Sequence, residues 1–368
     1  MARADIFAHT VEHFLRPVLP FLRDEAVSEI MINRFDEIYV EREGRLALTE
    51  ARFEDERSFL AAVNNVVQFT GKRLSPEQPL IDSRLPDGSR VHVVLEPLSR
   101  HGTCMNIRKF SKRLYNADEL EKLGTWTPQA RRYVQVCVLA EKNLLVAGGT
   151  SSGKTTLLNV LGSLIPTAQR IVTIEDSAEL ALDQVHVVAL ESRQADRYGK
   201  GAIGIGQLFR SSLRLRPDRI IIGEVRGGEA LQMIQAMTSG HAGSMSTLHA
   251  DTPADALARL ETLAMMGEVE LPLYALRAQV ASAIDLIVQM VRLHDGRRLI
   301  TQLSEVAGLD EQGRYRLVDI FVSDVADAAA QLRWTGAVSR FAREPRIRQQ
   351  SSTMGPAAPI FQVEGAAP

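Results

Sequence analysis

Between positions 148 and 155 the chain reads Gly-Gly-Thr-Ser-Ser-Gly-Lys-Thr, the pattern G-x-x-x-x-G-K-[ST]. Small residues at Gly148, Gly149, Thr150, Ser151, Ser152 and Gly153 let successive backbone N–H groups curl around anionic oxygens, and a helix opening at Lys154 adds the positive end of its dipole. A lysine at this place reaches the β- and γ-phosphates of a nucleotide, and the hydroxyl of Thr155 ligates Mg2+. Thr156 shares the same first turn and joins the binding residues. The context fits the pattern: the apolar run Leu144–Ala147 precedes it as a strand and Lys154–Leu164 follows as a helix. No Asn is followed by Lys anywhere, so an Asn-Lys-x-Asp guanine reader is missing and ATP is favoured.

Three further segments carry groups that can work on a bound triphosphate. The strand Arg170–Ile174 ends in Glu175-Asp176-Ser177-Ala178-Glu179. Carboxylates at the C-terminal end of a parallel strand face the ligand crevice of an open α/β sheet, where they would hold Mg2+ or a water. A second strand, Asp218–Gly223, ends in a single acid, Glu224, placed to orient and deprotonate an attacking water or to bind Mg2+ through water. A third, Gly240–Ala250, carries His241 and His249 with glycines and hydroxyls between them, a poor zinc-ligand spacing. Sensing of the γ-phosphate is the better functional reading for both histidines.

These residues need a scaffold of alternating strands and helices. Apolar strand-like runs at 143–147, 170–175, 185–190, 219–223, 243–247 and 284–291 alternate with helical segments, the mark of a mainly parallel sheet. The expected fold class is α/β: an N-terminal small α/β domain over residues 1–110, with antiparallel strands and a hairpin at Leu85-Pro86-Asp87-Gly88, then a linker at 111–127. A P-loop domain with a mainly parallel sheet follows over 128–335, ending in a β-rich appendage with turns at Asp295-Gly296 and Gln312-Gly313. From Gly336 the chain is rich in Arg, Ala, Pro, Gln and Ser with little periodicity and reads as a disordered tail.

Composition sets the outer limits. Of 368 residues, 45% are hydrophobic and 24% charged, which excludes wholesale disorder. Forty-three Lys plus Arg against forty-five Asp plus Glu argue against a coat for a polyanion. Two cysteines, Cys104 and Cys137, build neither a disulfide scaffold nor a four-cysteine zinc module. No run approaches the roughly 18 apolar residues of a membrane span, and the N-terminus lacks the apolar core of a secretory signal. A cytoplasmic protein with peripheral membrane contact is expected.

The order of these segments resembles the type II/IV secretion ATPase superfamily. Its Walker A loop, Asp box, Walker B and His box correspond to Gly148–Thr155, Thr173–Glu179, Ile220–Glu224 and Gly240–His249. The match is closer to the tight-adherence (CpaF-like) branch. It rests on Leu-Pro-Asp-Gly-Ser-Arg-Val at 85–91, Asn-Ile-Arg-Lys-Phe at 106–110, the stretch from Leu215 to Ala230 through Gly-Glu-Val-Arg-Gly-Gly-Glu-Ala, and Ala281–Val288. The resemblance implies a homohexameric motor whose ATPase drives assembly or retraction of a type IV pilus-like fibre, or associated secretion, at the cytoplasmic face of the inner membrane through a polytopic platform protein. It implies that Lys154 and Thr155 bind phosphate and Mg2+, that Glu175 and Asp176 form the Asp box, that Glu224 polarises water, and that His241 and His249 couple phosphate state to movement.

Arginines complete the expected machinery. The resemblance implies that one or more of Arg90, Arg100 and Arg108 project from the N-terminal domain onto the nucleotide, where a guanidinium would stabilise the spreading charge of phosphoryl transfer. Arg193, Arg210 and Arg226 are weaker inter-subunit candidates. The run Arg210, Arg214, Arg216 and Arg219 lacks interleaved aromatics, so specific nucleic-acid binding is not expected, and a subunit interface or surface is. Arg340, Arg343, Arg346 and Arg348 read as a solvated tail. Alternative functions are a conjugation-type traffic ATPase of a type IV secretion channel, a nucleotide-dependent structural switch without turnover, and a small-molecule kinase.

Overall fold

A computed structural model describes residues 10–42, 44–110, 115–193, 195, 200–267, 269, 271–323, 331–353 and 359–362. The chain divides into two compact units, Met1–Arg113 and Leu114–Pro368.

The first unit is built on a six-stranded sheet in the order β3-β2-β1-β6-β5-β4, antiparallel throughout. Its strands are β1 (Val27–Arg34), β2 (Glu37–Arg42), β3 (Arg45–Leu48), β4 (Leu80–Arg84), β5 (Arg90–Val94) and β6 (Cys104–Arg108). Alternate residues, Ile30 and Ile32, Val91 and Val93, Met105 and Ile107, turn inward as the period of a half-buried strand requires. The helix Glu56–Phe69 covers them with Phe59, Ala62, Val63, Val66 and Val67; Asp55 caps it by accepting the Ser58 N–H. Register sets Arg84 beside Arg90 and Arg90 beside Arg108, a row of three like charges at one end of the sheet.

The second unit carries nine strands in the order β15-β14-β13-β12-β7-β11-β10-β8-β9. Six are mutually parallel: β7 (Leu144–Gly148), β8 (Ile171–Glu175), β9 (Val187–Glu191), β10 (Arg219–Ile222), β11 (Met245–Leu248) and β12 (Leu286–Arg292). Both faces are covered, which is why the central strands read as unbroken apolar runs. Leu144 and Val146 face the helices Pro128–Leu139 and Lys154–Ser163. Leu145 and Ala147 face Ile205–Ser212, Glu229–Thr238, Pro253–Met265 and Leu273–Ala283.

The region after β12 is an extension of the sheet, not an appendage: β13 (Arg298–Leu309), β14 (Tyr315–Val322) and β15 (Arg333–Trp334) continue it antiparallel from β12. Residues 115–127 likewise do not behave as a linker. They include the capped helix Ala117–Lys122, and Leu120 and Trp126 are buried in the core of the second unit.

The disordered-tail expectation is overturned for the described residues beyond Gly336. Phe341, Ala342, Ile347, Ile360 and Phe361 are buried in the same core, and Phe361 stacks on Tyr133 at 5.6 Å. Glu305, fully buried, accepts Tyr133 Oη at 2.7 Å, Ser339 Oγ at 2.5 Å and the Arg340 N–H at 2.9 Å. Arg340 pairs with Asp285 at 3.0 Å, Arg346 with Glu141, and Lys142 with Glu344 at 2.6 Å, so two of the tail arginines are committed within the chain. The anchors are too widely spaced to form a helical or strand period, so the pattern could not reveal them. Removing residues 338–368 would uncover Tyr133 and strip Glu305 of two partners. At about 1.5–3 kcal/mol per large apolar side chain, we expect the melting temperature of the truncated chain to fall by roughly 10 °C or more. An unchanged melting temperature would show that the segment contributes nothing to the core.

Candidate active site

The C-terminal edges of β7, β8, β10 and β11 bring the phosphate loop, Glu175, Glu224 and His249 to one side of the sheet. The loop leaves β7 at Gly148, where a Cβ would lie 2.6 Å from both the Met290 carbonyl and Ser152 Oγ; only glycine fits. Ser151 and Gly153 take left-handed backbone angles, φ 57° and 96°, which turn the chain into the helix Lys154–Ser163. No side chain caps that helix, so its first N–H groups are left for an anion.

Lys154, a residue 8% exposed, donates from its ammonium to the Gly148 and Gly149 carbonyls at 2.9 and 2.8 Å. Those carbonyl oxygens stand where phosphate oxygens would be its partners. Thr155 and Thr156 are half-buried on the first turn behind it. Among the described residues no three His, Cys, Asp or Glu side chains converge on a metal site. Mg2+ here would depend on the Thr155 hydroxyl, nucleotide oxygens and water, the usual manner for that ion. Cradle, lysine and hydroxyl together fit Mg2+–ATP.

His249 stands between the loop and the acid. Its Nδ1 lies 3.4 Å from Lys154 Nζ and its Nε2 lies 3.1 Å from Glu224 Oε1. Burial, and next the Lys154 charge, hold its pKa below the ordinary histidine value. A neutral ring with Nδ1 accepting from the ammonium and Nε2–H donating to the carboxylate satisfies both neighbours. Lys154, His249 and Glu224 thereby form one polar chain from phosphate loop to acid.

Glu175, 4% exposed, ends β8 and accepts the Glu179 and Leu180 N–H groups at 2.9 Å each. Burial pushes its pKa up to about 7, the two amides opposing the shift. Its side chain lies across Gly223, where an added Cβ would come within 2.9 Å of Glu175 Cγ. The glycine before Glu224 is therefore what makes room for the Glu175 side chain. Because the folded pKa is raised, the penalty for ionising Glu175 accumulates as pH climbs from about 4.5 to about 7 and is constant above. We expect Glu175→Gln to gain stability over the parent across that window, by at most on the order of 3 kcal/mol. Urea denaturation at pH 5 and pH 8 checks it; an equal difference at both would refute the raised pKa.

Other expected site residues fall elsewhere. His241 precedes β11 at the opposite end of the sheet from the phosphate loop: Ser244, which hydrogen-bonds the His241 carbonyl, also bonds Asn143 just before β7. The strand alone separates it from His249 by roughly 10 Å. The expectation that His241 touches nucleotide is therefore corrected. It arose because the motif binds both histidines into one segment, whereas a strand of intervening residues carries them to opposite edges.

Arg226 pairs within the chain; its guanidinium is 2.6 Å from Glu224 Oε2 and 3.8 Å from Asp176 Oδ2. Arg219, read as part of a surface run, is fully buried and donates to Gln169 Oε1 and to the Gly243 and Val138 carbonyls. Gly243 is the residue that makes room, since a Cβ there would sit 1.7 Å from the guanidinium. Arg90 and Arg108 are neighbours on β5 and β6 within the first unit. Asp176 is exposed and accepts Ser192 Oγ at 2.5 Å.

Sequence reading missed Arg298, whose Nε donates to the Ser151 carbonyl at 3.1 Å and whose side chain crosses Gly153. Nothing local marks it, because the β12–β13 hairpin brings it to the loop from far along the chain.

Residues 12–352 match the family model described as type II/IV secretion system protein. A putative conjugal transfer protein of Mycobacterium tuberculosis is 34% identical over 322 residues, covering 85% of this chain and 90% of its own. A type IV secretion system PtlH homolog of Bordetella bronchiseptica is 35% identical over 313 residues, covering 77% and 91%. The solved ATPase DotB of Yersinia pseudotuberculosis, 20% identical, superposes with a TM-score of 0.59 over 79% of this chain and 78% of its own, a likeness of fold. The chain belongs to the type II/IV secretion system protein family and is one of its RecA-like ATPases.

Proposed function

We propose that this chain is the hexameric traffic ATPase of a type IV secretion or conjugation-type channel, hydrolysing Mg2+–ATP to move parts of the machine. The observation that carries the chemistry is the polar chain Lys154–His249–Glu224, which links the phosphate cradle to a carboxylate at a strand tip. In this reading the loop amides and Lys154 hold the β- and γ-phosphates, and Thr155 supplies a ligand for Mg2+. Glu224 takes the proton of the attacking water, and His249 transmits the state of Lys154 to it. Glu175 and Asp176 complete the acidic rim. Bound ATP with Mg2+ would supply the cleavable anhydride and the charge neutralisation. Arg90 and Arg108 would meet the developing phosphate charge, as the family resemblance suggests.

Conjugal-transfer and type IV secretion names among the relatives support the channel reading over the tight-adherence fibre motor that the sequence first suggested. The second reading keeps one specific support, the resemblance of the stretches at 85–91 and 215–230 to the tight-adherence branch. Partners would be five further copies of the chain and a polytopic membrane platform protein. Among the described residues no helix is long and apolar enough to cross a membrane, so membrane association would come through that platform.

Deleting the gene and restoring it with parent or Glu224→Gln tests the assignment. Loss of DNA or protein transfer, rescued by the parent only, supports the channel; loss of surface fibres with transfer intact supports the fibre motor. Light scattering with a non-hydrolysable ATP analogue should give a sixfold assembly at micromolar protein, and a monomer there would contradict the ring.

A further inference from the structure

We propose that Arg226 is the positioning residue of the hydrolytic site: its guanidinium ties the Glu224 carboxylate to Asp176 and so fixes where the water-activating acid points. The inference rests on Glu224 being that acid. The two carboxylates come from different strands, Glu224 from the tip of β10 and Asp176 from just beyond β8. Each is already held from its far side, Glu224 Oε1 by His249 Nε2 at 3.1 Å and Asp176 Oδ1 by Ser192 Oγ at 2.5 Å. Arg226 occupies the space between, 2.6 Å from Glu224 Oε2 and 3.8 Å from Asp176 Oδ2.

The backbone under Arg226 is anchored. Glu229 Oε1 accepts the N–H groups of both Arg226 and Gly227, at 2.8 and 2.9 Å, closing the turn between strand tip and helix. Gly228 then packs backbone to backbone on Gly267, where a Cβ would lie 2.8 Å from the Gly267 Cα. The anchored backbone fixes where the side chain starts, and its two carboxylate partners hold the guanidinium, although the side chain is 53% exposed. Ion pairs this open contribute roughly 0–1 kcal/mol, so stability gives little reason for the arrangement. Orientation gives a better one. A planar fork addresses two carboxylates in fixed directions, which a flexible ammonium does not. Without it Glu224 and Asp176 would repel across the crevice, and Glu224 would lose one of its two restraints.

The test compares Arg226→Ala, Arg226→Lys, Glu224→Gln and the double variant Arg226→Ala/Glu224→Gln by steady-state phosphate release and thermal melting. We expect Arg226→Ala to lower kcat about 10-fold or more while KM for ATP stays within about 3-fold. Arg226→Lys should recover part of the loss, and the double variant should be no slower than Glu224→Gln alone. Parental turnover in Arg226→Ala overturns the proposal, as does a KM raised about 10-fold at unchanged kcat, the mark of a residue that binds nucleotide directly. If Arg226→Ala melts early, Arg226→Lys and Arg226→Gln decide by the same kcat-against-KM criterion. Parental turnover in Glu224→Gln would instead remove the reading of Glu224 itself, whatever Arg226 does.

Discussion

Glu224→Gln should lower steady-state phosphate release by about 10²–10⁴-fold while leaving ATP affinity within a few-fold, because it removes the proton acceptor and leaves the phosphate loop untouched. The amide is nearly isosteric with the acid. Its one oxygen can accept from His249 or from Arg226 but not from both, so the amide NH2 faces one donor and that contact loosens. What disappears is the negative charge that polarises water and draws its proton. Glu224 is 22% exposed at the crevice, open enough for a water yet held at two oxygens, by His249 and Arg226. Equilibrium ATP binding and phosphate release on one preparation separate the two quantities. Equal turnover in parent and variant would mean that another group activates the water.

Lys154→Ala attacks the preceding step and should weaken ATP binding by about 100-fold or more. Hydrogen bonds to charged groups contribute roughly 1.5–3 kcal/mol each, and the ammonium is placed to give at least two to the phosphates. Its present partners, the Gly148 and Gly149 carbonyls, are neutral acceptors that phosphate oxygens can replace. Because those carbonyls lose a donor in the variant, melting curves must accompany the binding titration. Near-parental affinity in a folded Lys154→Ala would remove the phosphate loop from the account.

The phosphate loop, both acids and His249 were legible because their chemistry is local: a short segment holds each, and a strand before it puts each at the same edge. Parallel strands convert sequence order into spatial convergence, so reading the strands was enough to bring Gly148, Glu175, Glu224 and His249 together. Residues whose partners come from elsewhere were not legible. Arg298 reaches the loop through a hairpin, and Gly223 matters only because Glu175 from another strand lies over it. Arg219 looked like surface because a run of arginines usually is. Three acceptors and the absence of a Cβ at Gly243 make its burial possible. The tail looked structureless because Phe341, Ile347, Ile360 and Phe361 plug the core one at a time instead of lining a face. His241 misled in the opposite direction, a motif residue separated from the site by the strand that carries its partner.

The most direct test is a structure of the chain with Mg2+ and a non-hydrolysable ATP analogue. The triphosphate should lie inside the loop 148–155, with Lys154 Nζ moved from the Gly148 and Gly149 carbonyls to phosphate oxygens, Thr155 Oγ1 on the metal, and Glu224 one water away from the terminal phosphate. Nucleotide bound anywhere else, or Lys154 still on its own carbonyls with the analogue in place, would contradict this arrangement.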